Sequence, residues 1–187
     1  MDRKWGWSST LRLQTYVWDF FTERGFSDIQ AAGIMGNIMQ ESSWNPLCLG
    51  VGSSFWGLFQ LNEELALELE SLYRDVGLDM ALYGYNVSKY QAIGAEKYIP
   101  FGDLMPILET QLWFVYNKCK PTGSDWESVL RTANTTNEAA EMFLVLFEGA
   151  RGSKVSENLL LYYRAGGYFQ DAEKRRNHVA YYYDMFK

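Results

Sequence analysis

The stretch at residues 31–46 reads AAGIMGNIMQESSWNP and decides the fold of this chain. Apolar side chains recur in it at helical spacing, at Ala31, Ile34, Met35, Ile38 and Met39. Gly33 and Gly36 lower helix propensity, so we expect the close approach of neighbouring helices to offset them. The pattern therefore predicts a buried central helix that ends near Glu41.

Outward from this helix, the sequence predicts a mainly helical chain. Ser27 and Gln30 form a capping-box pattern that starts the central helix, and Gly25 is a C-cap for the helix before it. Thr135 and Glu138 form a similar box. Further helices are predicted after Ser8 and Ser9, from Asn62 to about Gly77, from Asp103, from Ser124 with Glu127 as its capping partner, over Leu159–Tyr163 up to a break at Gly166–Gly167, and from Asp171 to Tyr183.

No internal repeat or linker divides the chain. We therefore predict a single domain over residues 1–187, mainly α within an α+β class, with the central helix buried and a small β element beside a cleft. Residues 46–55 predict a loop or a small hairpin, and residues 56–61 a short strand or turn at the cleft wall.

Glu41 is the candidate for chemistry. A carboxyl group at the edge of an apolar, aromatic cleft has a raised pKa, because desolvation disfavours its charged form. The negative end of a helix dipole acts in the same direction. Such a group holds a proton near neutral pH and can donate it to a leaving oxygen. This chemistry is typical of a glycosidase acid.

Two runs carry a family resemblance. The pair Glu41–Ser42 at a helix end, followed by the run Gly57-Leu58-Phe59-Gln60, resembles the lysozyme superfamily, including goose-type lysozymes and lytic transglycosylases. The longer run is more similar still to phage tail lysozymes, whose pattern has Ala-Ala-Gly-Ile-x-Gly-Asn-x-x-x-Glu-Ser, then Asn-Pro, then Gly-Leu-x-Gln. Matching positions here are Ala31, Ala32, Gly33, Ile34, Gly36, Asn37, Glu41, Ser42, Asn45, Pro46, Gly57, Leu58 and Gln60, whereas Leu61 replaces the usual tryptophan. Later segments at residues 109–114, 137–148 and 176–182 resemble the family's remaining helices.

The resemblance implies a lysozyme-like fold and cleavage of the β-1,4 bond between N-acetylmuramic acid and N-acetylglucosamine in peptidoglycan. It implies a virion protein of a phage tail, with other tail proteins as partners, that opens the host cell wall locally. Neither a metal nor an organic cofactor is implied. Glu41 is then the catalytic acid.

The other candidate site residues have two readings each. Ser42 either orients the Glu41 carboxyl or only ends the helix. Gln60 either holds an N-acetyl or hydroxyl group of the substrate or bonds the backbone. Trp44 and Trp56 either stack on sugar rings or pack in the core. Tyr116 is a further substrate-binding candidate, because with Asn117 it resembles the Tyr-Asn pair of lytic transglycosylases. Asn37, one turn before Glu41, is expected to tie helices together.

The residues leave the exact reaction open. Glycosidases commonly use two carboxylates, and no motif selects a second one from Glu63, Glu64, Asp75, Asp79, Asp103 and Glu148. Hydrolysis is therefore the first prediction and lytic transglycosylation the alternative. A wall-binding or structural tail module without activity is the competing class, which the intact Glu41, Ser42 and Gln60 disfavour.

Composition excludes several functions. A net charge of −6 and a pI near 4.9 argue against a nucleic-acid binder, which would carry a basic patch. Residues 1–5 lack an apolar signal region and no apolar run is long enough to span a membrane, so we expect no signal peptide and no membrane partner. A cysteine peptidase would need His178, the single histidine, to serve Cys48 or Cys119, and neither lies in a nucleophile motif. We expect two buried thiols, and a disulfide between them stays open.

Overall fold

The computed structural model describes residues 7–50, 55–83, 85–86, 91–92, 101–119, 125–144 and 172–187. Within these ranges the chain is mainly helical, which confirms the predicted fold class. The elements are α1 (Trp7–Thr22), α2 (Asp28–Ser42), α3 (Glu63–Asp75), a 3₁₀ helix (Met80–Tyr83), β1 (Tyr85–Asn86), β2 (Gln91–Ala92), α4 (Phe101–Asn117), α5 (Trp126–Leu130), α6 (Thr136–Phe143) and α7 (Ala172–Phe186). The two strands pair antiparallel.

Several predicted helix boundaries are confirmed by capping geometry. Gly25 follows α1 with a φ of +80°, the left-handed conformation that suits a glycine C-cap. The Ser27 N–H donates to Gln30 Oε1 at 2.9 Å, and the Gln30 N–H donates to Ser27 Oγ at 3.4 Å. Thr135 and Glu138 form the second capping box. Local sequence therefore sets where these helices begin and end.

Several boundaries differ from the prediction. Helix α1 begins at Trp7, ahead of the predicted start after Ser8 and Ser9. Helix α4 begins at Phe101, so Asp103 lies inside its first turn, where a carboxylate is also favoured by the helix dipole. Asp125 caps α5 by accepting from the Ser128 N–H at 3.3 Å; the predicted cap, Ser124, lies outside the described residues. Helix α7 continues to Phe186, beyond the predicted end. The helix over 159–163, the break at 166–167 and the start at Asp171 also lie outside the described residues.

Residues 16–40 and 120–187 form one compact unit. Here α2 is buried from Gln30 to Ile38. A Cβ atom added to Gly33 would lie 2.6 Å from the Ala139 Cβ of α6, and one added to Gly36 would overlap the Val179 side chain of α7. The predicted reason for these two glycines, helix contact at close range, is therefore confirmed.

Asn37 joins three helices of this unit. Its Nδ2 donates to Gly33 O at 2.8 Å within α2 and to Ala140 O of α6 at 3.1 Å. Its Oδ1 accepts from Arg175 Nη1 of α7 at 2.7 Å. Asn37 is fully buried, so these bonds satisfy a polar group that would otherwise be costly inside the core. The expectation that Asn37 ties helices together is confirmed.

Residues 1–15 and 41–119 form the other compact unit. Helices α3 and α4 pack against each other in it. Isolated bridges pair Leu49 with Trp56 and Trp56 with Leu61, and with β1 and β2 they make up the small β element of this unit. The last two residues of α2, Glu41 and Ser42, belong to this unit and open its second segment.

Candidate active site

Helix α2 ends in a sharp corner directly after Glu41. Ser43 and Trp44 have φ values of 50° and 66°, in the left-handed region that a bulky residue rarely adopts. Such a conformation costs about 1–3 kcal/mol per residue and persists only where the surroundings hold it. Burial of the Trp44 side chain, which is 2% exposed, holds this one. The half-buried Glu41 is thus presented from a rigid helix end.

Gln60 is presented by a tight hairpin over residues 56–61. Trp56 and Leu61 exchange both backbone hydrogen bonds, at 2.9 and 2.8 Å. Gln60 has a φ of 48°, a second strained position close to the candidate site. Its Nε2 donates to Gly57 O at 2.9 Å and to Cys48 O at 3.2 Å. Because both partners are carbonyl oxygens, the amide orientation is set and its Oε1 is turned away from them as an acceptor.

Cys48 interacts with both Glu41 and Gln60. Burial raises the pKa of the Cys48 thiol, and the charge of Glu41 raises that pKa further. The carbonyl oxygen of Cys48 accepts from Gln60 Nε2 and also from the Gly57 N–H at 2.9 Å. Cys48 is thus affected by the charge of Glu41 at its thiol and bonded to Gln60 at its carbonyl oxygen.

Tyr85 of β1 adds an aromatic wall. Its ring packs edge to face on Trp56 with the centroids 5.4 Å apart. Burial raises the pKa of the Tyr85 hydroxyl, and its neighbour Cys48 contributes in the same direction. Tyr85, which is 3% exposed, thus packs on the hairpin that carries Gln60.

Gln111 of α4 lies beneath the hairpin, 1% exposed. Its Oε1 accepts from the Leu58 N–H at 2.7 Å, and its Nε2 donates to Pro46 O at 2.6 Å and to the Tyr73 hydroxyl at 2.8 Å. Burial raises the pKa of Tyr73, so this hydroxyl stays protonated and available in the network. Gly57, with a φ of +82°, lets the hairpin approach, because an added Cβ would lie 2.7 Å from Gln111 Oε1.

The two tryptophans occupy the core rather than a sugar-facing surface. Trp44 is 2% exposed and Trp56 is fully buried. The Trp56 indole nitrogen lies near the Tyr73 hydroxyl, but no described residue completes a hydrogen bond with it. Of the two readings given above, core packing is the one that their burial favours, and neither ring has a free face for a sugar in this structure.

Ser42 is buried at the end of α2, and its carbonyl oxygen accepts from the Asn45 N–H at 3.0 Å. Tyr116 lies half-buried in the last turn of α4. Their roles toward substrate stay predictions.

The candidate second carboxylates that the structure describes, Glu63, Glu64, Asp75, Asp79 and Asp103, are all exposed, and Glu148 lies outside the described residues.

Sequence reasoning missed three residues of this region: Cys48, Tyr85 and Gln111. Cys48 gave no signal beyond a lone thiol, and Tyr85 lies in a stretch without a clear period. Gln111 stood out only as part of a segment that resembles a family helix. Contacts between distant parts of the chain reveal all three.

Burial raises the pKa of Cys119 as well as that of Cys48, and neither cysteine forms a disulfide. A nucleophilic cysteine needs the opposite shift, so the thiols give no support to a peptidase. In the described part of the chain, no group of three or more acidic, histidine or cysteine side chains could hold a metal ion. None of the described helices is long and apolar enough to cross a membrane.

A mainly helical fold that carries a glutamate near the end of a buried helix and a Gly-Leu-Phe-Gln hairpin later in the chain is lysozyme-like. The phage tail lysozyme family matches residues 12–186, and the chain therefore belongs to this family. Membership confirms the resemblance drawn from the sequence and implies a peptidoglycan-lytic enzyme of phage origin. Searches of curated proteins and of solved structures found no match.

Proposed function

We propose that this protein hydrolyses the β-1,4 bond between N-acetylmuramic acid and N-acetylglucosamine, with Glu41 as the general acid. The observation that carries the proposal is the position of the half-buried Glu41 at the end of α2, directly before the strained corner, with the amide of Gln60 held by two backbone bonds. The family match spans both residues. Residues 1–187 would act as one peptidoglycan-degrading domain.

In the proposed mechanism, protonated Glu41 donates its proton to the glycosidic oxygen as the bond breaks. The sugar ring acquires oxocarbenium character, and fixed dipoles in a site that excludes water stabilise it. Gln60 offers its Oε1 to the N–H of an acetamido group, because its Nε2 is already engaged with the backbone. Ser42 orients the carboxyl, and Tyr116 contacts the substrate.

Trp44 and Trp56 support this site without touching the sugar. Trp44 locks the corner that follows Glu41, and Trp56 anchors the hairpin that carries Gln60. Their removal would be expected to disturb catalysis through the backbone rather than through lost stacking.

After the glycosidic bond has broken, the oxocarbenium-like ring must be attacked by a water molecule or by the acetamido oxygen of the substrate. None of the described candidate carboxylates is shielded like Glu41, so we propose that Glu41 works without a second essential carboxylate. Hydrolysis is the proposed outcome, since tail lysozymes are the matching family. The enzyme would act from the virion tail, in contact with other tail proteins, on the cell wall outside the host.

Digestion of purified peptidoglycan in water labelled with heavy oxygen tests this proposal. Hydrolysis places one labelled oxygen at each new reducing muramic acid end, whereas transglycosylation gives an unlabelled anhydro end. Labelled reducing ends are expected. Release of cut stem peptides with intact glycan, or wall binding without any soluble product from several hosts, would contradict the proposal and favour a peptidase or a binding module respectively.

A further inference from the structure

We infer that Gln111 is a positioning residue for the reaction, which holds the chain after Glu41 and the hairpin of Gln60 in register with each other. The inference rests on the proposed function of Glu41. It adds a residue that does not touch the substrate, and it explains how two separate segments keep a common geometry.

The side-chain amide of Gln111 uses all of its hydrogen-bonding groups. A glutamine side chain offers one carbonyl oxygen and two N–H donors. Gln111 uses Oε1 for Leu58 and both donors for Pro46 and Tyr73, over 2.6–2.8 Å. All these groups are buried, so none can exchange its bond for one with water. The amide therefore has one orientation.

The Gln111 amide joins segments that are distant in sequence. Pro46 follows the strained corner after Glu41, and Leu58 lies in the hairpin just before Gln60. Tyr73 fixes the same amide to α3, and Gln111 itself belongs to α4. The packed pair of α3 and α4 thus acts as the support on which both loops are set.

Gly57 leaves the space that this amide needs. Any side chain at position 57 would bring a Cβ atom to 2.7 Å from Gln111 Oε1. The glycine therefore serves two needs at once, the left-handed φ of +82° and the close approach of the amide. Hairpin and amide are fitted to each other more tightly than folding of the hairpin alone requires.

The test compares Gln111→Met with Gln30→Met. Gln30 is a matched control in the other unit, a buried glutamine whose side chain also makes three hydrogen bonds, from the Ser27 N–H and to the carbonyl oxygens of Arg131 and Ala133. Both variants should lose thermal stability. Below both unfolding transitions, kcat of Gln111→Met should fall by about 10- to 100-fold, since displacement of a catalytic group by about 1 Å costs up to about 100-fold. Gln30→Met should keep kcat within about twofold.

A conservative variant adds a second readout. In Gln111→Glu an ionised carboxylate still accepts from Leu58 but cannot donate to Pro46, and protonation restores one donor. The ratio of its kcat to that of wild type should therefore rise as the pH falls. Equal kcat values for Gln111→Met and Gln30→Met, or a Gln111→Glu to wild-type kcat ratio that does not change with pH, would overturn the positioning role. The proposed function would still stand in that case if the wild-type protein is active. An inactive wild type would overturn both.

Discussion

Replacing Gly36 with alanine sets two opposing energies against each other. In a helix interior, alanine is more favourable than glycine by about 1 kcal/mol. The added methyl group would, however, lie 2.7 Å from the backbone nitrogen and 3.0 Å from the Cα of Val179 in α7. Backbone atoms cannot rotate away, so α7 must move, and overpacking costs about 1–3 kcal/mol. Because the contact is with backbone atoms, we expect an overpacking cost near the upper end of this range and a net loss of about 1–2 kcal/mol in the free energy of unfolding.

Thermal unfolding followed by circular dichroism measures this loss. In a domain of this size, 1 kcal/mol shifts Tm by about 2–4 °C, so Gly36→Ala should lower Tm by about 2–8 °C. Gly102→Ala is the matched control, because Gly102 lies in the first turn of α4 with no atom within 4 Å of an added Cβ. Lower chain entropy in the unfolded state should raise its stability by about 0.4–1 kcal/mol. An unchanged or higher Tm for Gly36→Ala would mean that the contact with α7 does not oppose the added methyl group.

Two further predictions concern the candidate site. Gly57→Ala should destabilise the protein more than Gly77→Ala. Both variants place an alanine in a left-handed conformation, which costs about 1–2 kcal/mol, but only at position 57 does the added Cβ meet a neighbour, Gln111, whose bond to the hairpin is then also lost, at about 1–3 kcal/mol. Equal losses of unfolding free energy in urea would contradict this prediction. In a background without the other cysteine, Glu41→Gln should shift alkylation of the Cys48 thiol to lower pH, because a negative neighbour that raises the thiol pKa is gone. An unchanged pH profile would mean that the two groups are not neighbours.

Much of the helical fold could be predicted because helix ends depend on nearby residues. The capping boxes at Ser27 and Thr135 and the C-cap at Gly25 are written within four residues each. The glycines of α2 were also informative, because Gly33 and Gly36 recur on a helix that is otherwise apolar. Their cost in propensity pointed to a packing reason, which the contacts with α6 and α7 confirm.

The surroundings of Glu41 could not be predicted in the same way. Gln111 bonds to residues 53 and 65 positions away in sequence, and no local pattern encodes such pairs. The burial of Trp44 and Trp56 likewise depends on packing of the whole unit, so the sequence alone left their two readings open. Glu41 itself was identified by its flanking run, whereas its neighbour Cys48 became visible only in the fold.

Glu41 is proposed as the general acid, and turnover of purified peptidoglycan by wild type, Glu41→Gln and Glu23→Gln measures this role. Glu23 is the control, an exposed glutamate directly after the last residue of α1, whereas the half-buried Glu41 lies in the last turn of α2. Loss of a general acid should lower kcat by about 10²- to 10⁴-fold, with wall binding and Tm retained, while Glu23→Gln should match wild type. Turnover by Glu41→Gln within a few-fold of wild type would contradict the account.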